Sequence, residues 1–95
     1  MRNYELAFII RSTVAAEGVT NVVEQVSQFV KSGNGEVTSV NVWGRRTLAY
    51  PIEKHREGTY VLCQVKLPPA ALDELERNLK LSEEIIRYLL VKVEA

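Results

Sequence analysis

The stretch "VNVWGRRTLAYPIEKHREGTYVLCQV", residues 40–65, holds two predicted strands and the turn that joins them. Its first half has apolar residues at even positions on both sides of Gly44: Val40, Val42, Leu48, Tyr50 and Ile52. A constant parity predicts one long strand with one packed face, and the glycine is a candidate for a β-bulge. Val37 has the other parity, which is compatible with a second irregularity near Thr38 and Ser39.

The second half of the stretch predicts a hairpin. "EKHRE" followed by Gly58 is typical of a polar connection, with its turn near His55. If the two arms pair evenly about that turn, Arg45 and Arg46 lie beside Val65 and Lys66. Beyond the turn, alternate residues of a third strand are apolar: Val61, Cys63, Val65 and Leu67.

The flanking segments supply the remaining elements. Residues 4–10 alternate between apolar and mostly polar side chains, which predicts a first strand. Between residues 14 and 31, valines recur at helical spacing, which predicts a helix with Thr13 as its N-cap and "GNG" as its end. "LPPAALDELERNLKL", residues 67–81, predicts a second helix, and "IIRYLLVKVEA", residues 85–95, a last strand.

The order of elements is strand, helix, strand, strand, helix, strand. Each predicted helix has one apolar stripe to bury, and both stripes can be buried against the same face of one sheet. Right-handed crossover connections then fix the strand order. We therefore predict an α+β, ferredoxin-like two-layer sandwich in one domain, residues 1–95. Its four-stranded antiparallel sheet has the order 4-1-3-2.

Composition limits the function. Twelve Lys and Arg balance twelve Asp and Glu, so a nucleic-acid site must be local. The single cysteine, Cys63, rules out an internal disulfide and a cysteine-rich zinc cluster. The apolar run in "MRNYELAFIIR" is too short for a membrane span. We expect a cytoplasmic protein with no membrane association, no bound metal and no cofactor.

The predicted register gathers cations at one end of the sheet. Antiparallel pairing brings the start of the first strand and the end of the last strand towards residue 66. The resulting band suits RNA phosphates, although strand ends also carry Lys and Arg for solubility and edge protection. The candidate RNA-binding residues are Arg2, Tyr4, Arg45, Arg46, Lys66 and Lys92.

The sheet face opposite the helices is partly aliphatic. A patch of this kind predicts a protein partner, although single exposed aliphatic side chains are ordinary. The candidate partner surface consists of Ala7, Ile9, Leu62, Leu89, Val91 and Val93.

No catalytic pattern is present in the sequence. His55 is a lone histidine between Lys54 and Arg56, and there is no phosphate loop or nucleophile elbow. A small stand-alone enzyme or ligand-binding domain of the acylphosphatase type shares the predicted order of elements and is the alternative. Its anion-binding loop is glycine-rich, whereas "IIRSTVAAEG" lacks that spacing. The RNA-recognition motif also shares the topology, but "EGTYVLCQV" offers only Tyr60 for base stacking.

"GRRTLAYPI" from Gly44, with "MRNYE" at the start and "LLVK" near the end, resembles the family of the sixth protein of the bacterial small ribosomal subunit. The resemblance runs along essentially the whole chain. It implies a structural ribosomal protein, not an enzyme and without a small-molecule substrate. It further implies binding to the central domain of small-subunit ribosomal RNA as a heterodimer with the eighteenth small-subunit protein. By motif, RNA contacts carry over to Arg2, Arg45, Arg46 and Lys92.

Overall fold

The computed structural model describes residues 2–52 and 55–93, but not the side chains of Ala16, His55 and residues 49–52. Tyr50 and Ile52, predicted to pack, therefore have side chains outside the described part. The elements in chain order are β1 (Arg2–Arg11), α1 (Ala16–Ser32), β2 (Glu36–Ile52), β3 (His55–Leu67), a 3₁₀ turn (Pro69–Ala71), α2 (Leu72–Leu81) and β4 (Ile85–Lys92).

The four strands form one sheet in the order β2-β3-β1-β4, and each neighbouring pair is antiparallel. Counted from the other edge this order is 4-1-3-2, so the predicted ferredoxin-like topology is confirmed. Both helices pack on the same face of the sheet. The even residues of β1 and the odd residues of β3 pair directly on that face and are buried beneath the helices. The side chains buried most completely are Phe8, Leu6, Ile10, Leu67, Leu75, Leu79, Val26, Val30, Val61, Val65 and Cys63.

Helix α1 begins later than its sequence predicts. The backbone N–H of Val14 donates to the carbonyl of Arg11, so a turn occupies residues 11–14 and the helix starts at Ala16. Its N-cap is Ala15, which makes no side-chain capping bond. The prediction of Thr13 as the N-cap was therefore wrong.

The end of α1 is a Schellman motif. The N–H of Asn34 donates to Lys31 O at 3.0 Å, and the N–H of Gly35 donates to Val30 O at 3.0 Å. Asn34 takes the left-handed conformation, with φ 64°. The predicted stop at "GNG" is confirmed, but an asparagine rather than a glycine occupies the left-handed position, as these motifs allow.

Both irregularities expected in β2 are present. The register with β3 shifts between Val37 and Ser39, and again between Val42 and Gly44. Gly44 has φ 90°, which side-chain-bearing residues rarely adopt, so the bulge requires glycine there. The Thr38 hydroxyl donates to Gln64 O at 3.1 Å across the first irregularity.

Cys63 lies within the core between β1 and β2. Burial raises the pKa of its thiol to about 11, because the low-dielectric surroundings disfavour the thiolate. A neutral, buried thiol is a poor nucleophile at physiological pH.

Candidate nucleic-acid and partner interface

Three of the predicted basic residues meet at the end of the sheet where β1 begins. Arg2 pairs with Leu67, and the next residue, Asn3, pairs with Lys66. Lys92 of β4 pairs with Tyr4 on the other side of β1. Arg2, Lys66 and Lys92 are all exposed and form what we call the first basic end.

The arginine pair lies at the other end of the sheet. Arg45 pairs with Thr59 and Arg46 with Gly58, and Gly58 also pairs with Arg11 of β1. The Arg45 guanidinium donates through Nη2 to Ser12 O at 2.8 Å, which ties β2 to the turn before α1. This second basic end consists of Arg11, Arg45, Arg46 and Arg56.

The prediction of one basic band was therefore wrong. Arg45 lies opposite Thr59 instead of Val65, a difference of six residues. At about 3.3 Å per residue, the eight residues from Thr59 to Leu67 separate the two basic ends by about 25 Å. Two facts explain the error. Ile52 pairs with His55, so the pairing is centred before His55, and β2 carries three extra residues between Thr47, which pairs with Glu57, and Ile52.

Tyr4 also differs from its predicted role as an RNA contact. It is 4% exposed and belongs to the hydrophobic core, because it lies on the β1 face that the helices cover. Its ring is therefore unavailable for stacking on a base at the surface.

The six residues of the predicted partner surface share the sheet face opposite the helices. Ala7 pairs with Leu62 on one side and with Leu89 on the other, which joins three strands in one row. Leu89 is 62% exposed and Val91 47%, large fractions for aliphatic side chains. We call this surface, Ala7, Ile9, Leu62, Leu89, Val91 and Val93, the aliphatic face.

A shallow apolar depression lies within the aliphatic face. It is lined by Ala7, Ile9, Tyr60 and Leu89, among other residues, and has a volume of about 110 Å³. The register places Ile9 between Tyr60 and Arg87, so the depression has an aromatic and a cationic residue at its border. A single apolar side chain is about the size that it can accept.

Trp43 is an exposed aromatic residue that was not among the predicted surface residues. This residue is 52% exposed and sits at the second bulge of β2, directly before Gly44. A tryptophan adjacent to a predicted bulge glycine, within a strand whose packed positions are the even ones, is a signal that could have marked it as a surface residue.

The described part of the chain contains no group of three or more His, Cys, Asp or Glu placed to hold a metal ion. Within residues 2–52 and 55–93, no helix is long and apolar enough to cross a membrane.

The family model described as ribosomal protein S6 matches residues 3–92. The chain belongs to the ribosomal protein S6 family. Curated relatives include the small ribosomal subunit protein bS6 of Moorella thermoacetica, 48% identical over 94 residues, 99% of this chain and 96% of the relative. The bS6 protein of Desulforamulus reducens is 44% identical and covers 97% of both chains.

A solved structure extends the match to three dimensions. The crystal structure of 30S ribosomal protein S6 from Thermotoga maritima superposes with a TM-score of 0.91 at 33% identity, covering 97% of this chain and 87% of that chain. The C-terminal domain of MgtC from Mycobacterium tuberculosis reaches a TM-score of 0.64 at 16% identity, which shows a shared fold only. Membership of the S6 family makes the chain a structural protein of the bacterial small ribosomal subunit and not an enzyme. The acylphosphatase-type alternative is thereby set aside.

Proposed function

We propose that this chain binds the central domain of small-subunit ribosomal RNA as a heterodimer with the eighteenth small-subunit protein, on the ribosome in the cytoplasm. The aliphatic face is the observation that carries the proposal. A helix layer covers one side of the sheet. The other side exposes Leu89, in one row with Ala7 and Leu62, and Val91 in the next row. A protein partner would remove this apolar surface from water.

The distribution of charge supports an RNA contact that needs a partner. The formal net charge is zero, so the chain has no overall field that draws it to RNA. Each basic end offers only three or four cations, and the two ends lie about 25 Å apart. Because affinity for RNA grows with the number of neutralised phosphates, the chain alone should bind weakly. A more basic partner on the aliphatic face would supply further phosphate contacts.

The two basic ends make separate contributions in this proposal. Arg46 and Arg11 flank Gly58 from the two neighbouring strands, so their Cα atoms are about 10 Å apart. Arg45 is held by Ser12 O and lies one pair further along β3. Consecutive residues of a strand point to opposite faces, so Arg46 lies on the outer side and Arg45 on the helix side of this end, and each offers a guanidinium group on a fixed strand to a phosphate.

Substitution of each basic end tests these contacts. We expect Arg45→Ala with Arg46→Ala, and separately Arg2→Ala with Lys66→Ala, to weaken RNA binding by the heterodimer. Each lost phosphate contact should flatten the plot of log affinity against log salt by about 0.7 to 0.9. The measurement is filter binding of a central-domain RNA fragment across a salt series.

Arg77→Ala is the control, because Arg77 is an exposed arginine on α2, away from both basic ends. It should leave the salt slope unchanged. An unchanged slope in either double variant would remove that basic end from the RNA site.

A further inference from the structure

The free edge of β2 carries little charge and several exposed apolar side chains. Among the strands that the structure describes, β2 is the last at one side of the sheet, so none of them pairs with one row of its backbone groups. Residues 36–44, "EVTSVNVWG", contain one charge, Glu36, and no proline or lysine. Charged residues, lysine above all, and prolines normally protect edge strands from pairing with another chain. Val40 is 43% exposed and Val42 48%.

Val40 and Val42 lie on the helix side of the sheet but are not covered. Val40 pairs with Cys63 and Val42 with Val61, both of which are buried beneath the helices. The two valines are half-exposed because α1 covers the edge strand only in part. An apolar groove of about 340 Å³ runs beside them, lined in part by Val14, Val19 and Val42.

We propose that the free chain forms a two-fold symmetric dimer in which β2 pairs antiparallel with β2 of a second copy about Asn41. An isologous contact of this kind needs a strand that is complementary to itself. Pairing about Asn41 places Val40 of each copy opposite Val42 of the other, so four valines meet on the helix side. Val40 of the second copy then lies next to the groove beside Val42.

Charge complementarity selects this register. Pairing about Asn41 places Glu36 of one copy opposite Arg46 of the other, and the symmetry makes this pair twice. Both residues are exposed, and both belong to the outer side of the sheet, because Glu36 pairs with Lys66 and Arg46 with Gly58. Opposite charges directly across two antiparallel strands attract, whereas like charges repel.

The two bulges restrict the length of the contact. Regular pairing of β2 with β3 runs from Ser39 to Val42 between the register shifts. β2 carries one extra residue between Asn41 and Glu36 and one between Asn41 and Arg46, so these two charges stay opposite each other about the two-fold axis. The irregular backbone at the bulges weakens the new ladder, so the dimer should be weak, with a dissociation constant on the order of 10 µM. The contact leaves the aliphatic face and the first basic end free, and it does not depend on the proposed function.

Sedimentation at increasing protein concentration tests the dimer. We expect conversion from monomer to dimer at a protein concentration near the dissociation constant. The fluorescence emission of Trp43, the only tryptophan in the sequence, should shift as well, because it comes to lie opposite Ser39 of the second copy. Val40→Lys should raise the dissociation constant at least about tenfold. Leu89→Lys, on the aliphatic face, is the control and should leave it unchanged. Circular dichroism verifies that both variants fold.

Mixing two charge variants tests the register itself. Glu36→Lys alone and Arg46→Glu alone each place like charges across the two-fold axis, so each should remain monomeric. A mixture of the two restores opposite charges at both positions and should form a heterodimer about as tight as the wild-type dimer. A chain that stays monomeric at every concentration, a mixture that does not pair, or a dimer broken by Leu89→Lys instead of Val40→Lys would overturn the proposal.

Discussion

Val91→Asp is expected to abolish pairing with the eighteenth small-subunit protein while the fold stays intact. Val91 is 47% exposed in the free chain, so a carboxylate there remains hydrated, and repulsion from its cross-strand neighbour Glu5 costs only about 0.2 to 1 kcal/mol. In the proposed heterodimer the same carboxylate would be buried without a partner, which costs several kcal/mol. A loss of about 3 kcal/mol corresponds to more than about a 100-fold drop in affinity. Isothermal titration with the purified partner measures it, and circular dichroism verifies the fold.

Val40→Asp is the matched control, because Val40 is also a half-exposed valine, 43% exposed, but lies on the β2 edge. It should leave heterodimer formation unchanged. If Val91→Asp pairs normally and Val40→Asp does not, the partner binds at β2 and the aliphatic face is not the interface.

Phe8→Ala is expected to bring the chain close to global unfolding. Phe8 is 1% exposed, lies on a central strand and is the largest fully buried side chain in the described part of the chain. Its removal leaves a cavity in a layer that cannot close fully, which costs about 3 to 5 kcal/mol. The whole stability of a small domain is only about 5 to 15 kcal/mol. Denaturant unfolding followed by circular dichroism should therefore give a much lower midpoint.

Leu89→Ala provides the comparison for Phe8→Ala. Leu89 is a large aliphatic residue on the adjacent strand β4, but it is exposed. Its truncation should change the free energy of unfolding by about 0.5 kcal/mol or less. Similar losses for the two variants would contradict the assignment of the core to the helix side of the sheet.

The fold could be predicted from the sequence because side-chain periodicity and core packing report the same faces. Tyr4, Leu6, Phe8 and Ile10 alternate in the sequence and are all buried in the structure. The bulge at Gly44 could be predicted as well, because the parity of β2 persists across a glycine.

The strand register could not be predicted with the same accuracy. It depends on how many residues the turn takes and on each extra residue that β2 carries, and neither is encoded in alternation alone. Small errors in the predicted register add along the strand, so the prediction placed Arg45 and Arg46 at the wrong end of the sheet. The exposure of Val40 and Val42 depends on how far the helices extend, which no local pattern records.

The candidate site could be predicted only in part, because one half of it depends on side-chain alternation and the other half on strand register. The aliphatic face follows from parity, so its six residues do share one side of the sheet. The basic residues follow from register, so their grouping was wrong. Tyr4 is one of the alternating apolar residues of β1 and was also a candidate RNA contact, and its burial is compatible only with a place in the core.

In the proposed function this chain reaches ribosomal RNA as half of a heterodimer. Titration of a central-domain RNA fragment with this chain, with the eighteenth small-subunit protein and with both together tests it most directly. We expect weak binding by this chain alone and binding at least about tenfold tighter by the pair than by either protein. Equal affinity of the pair and of the tighter single protein would contradict the account.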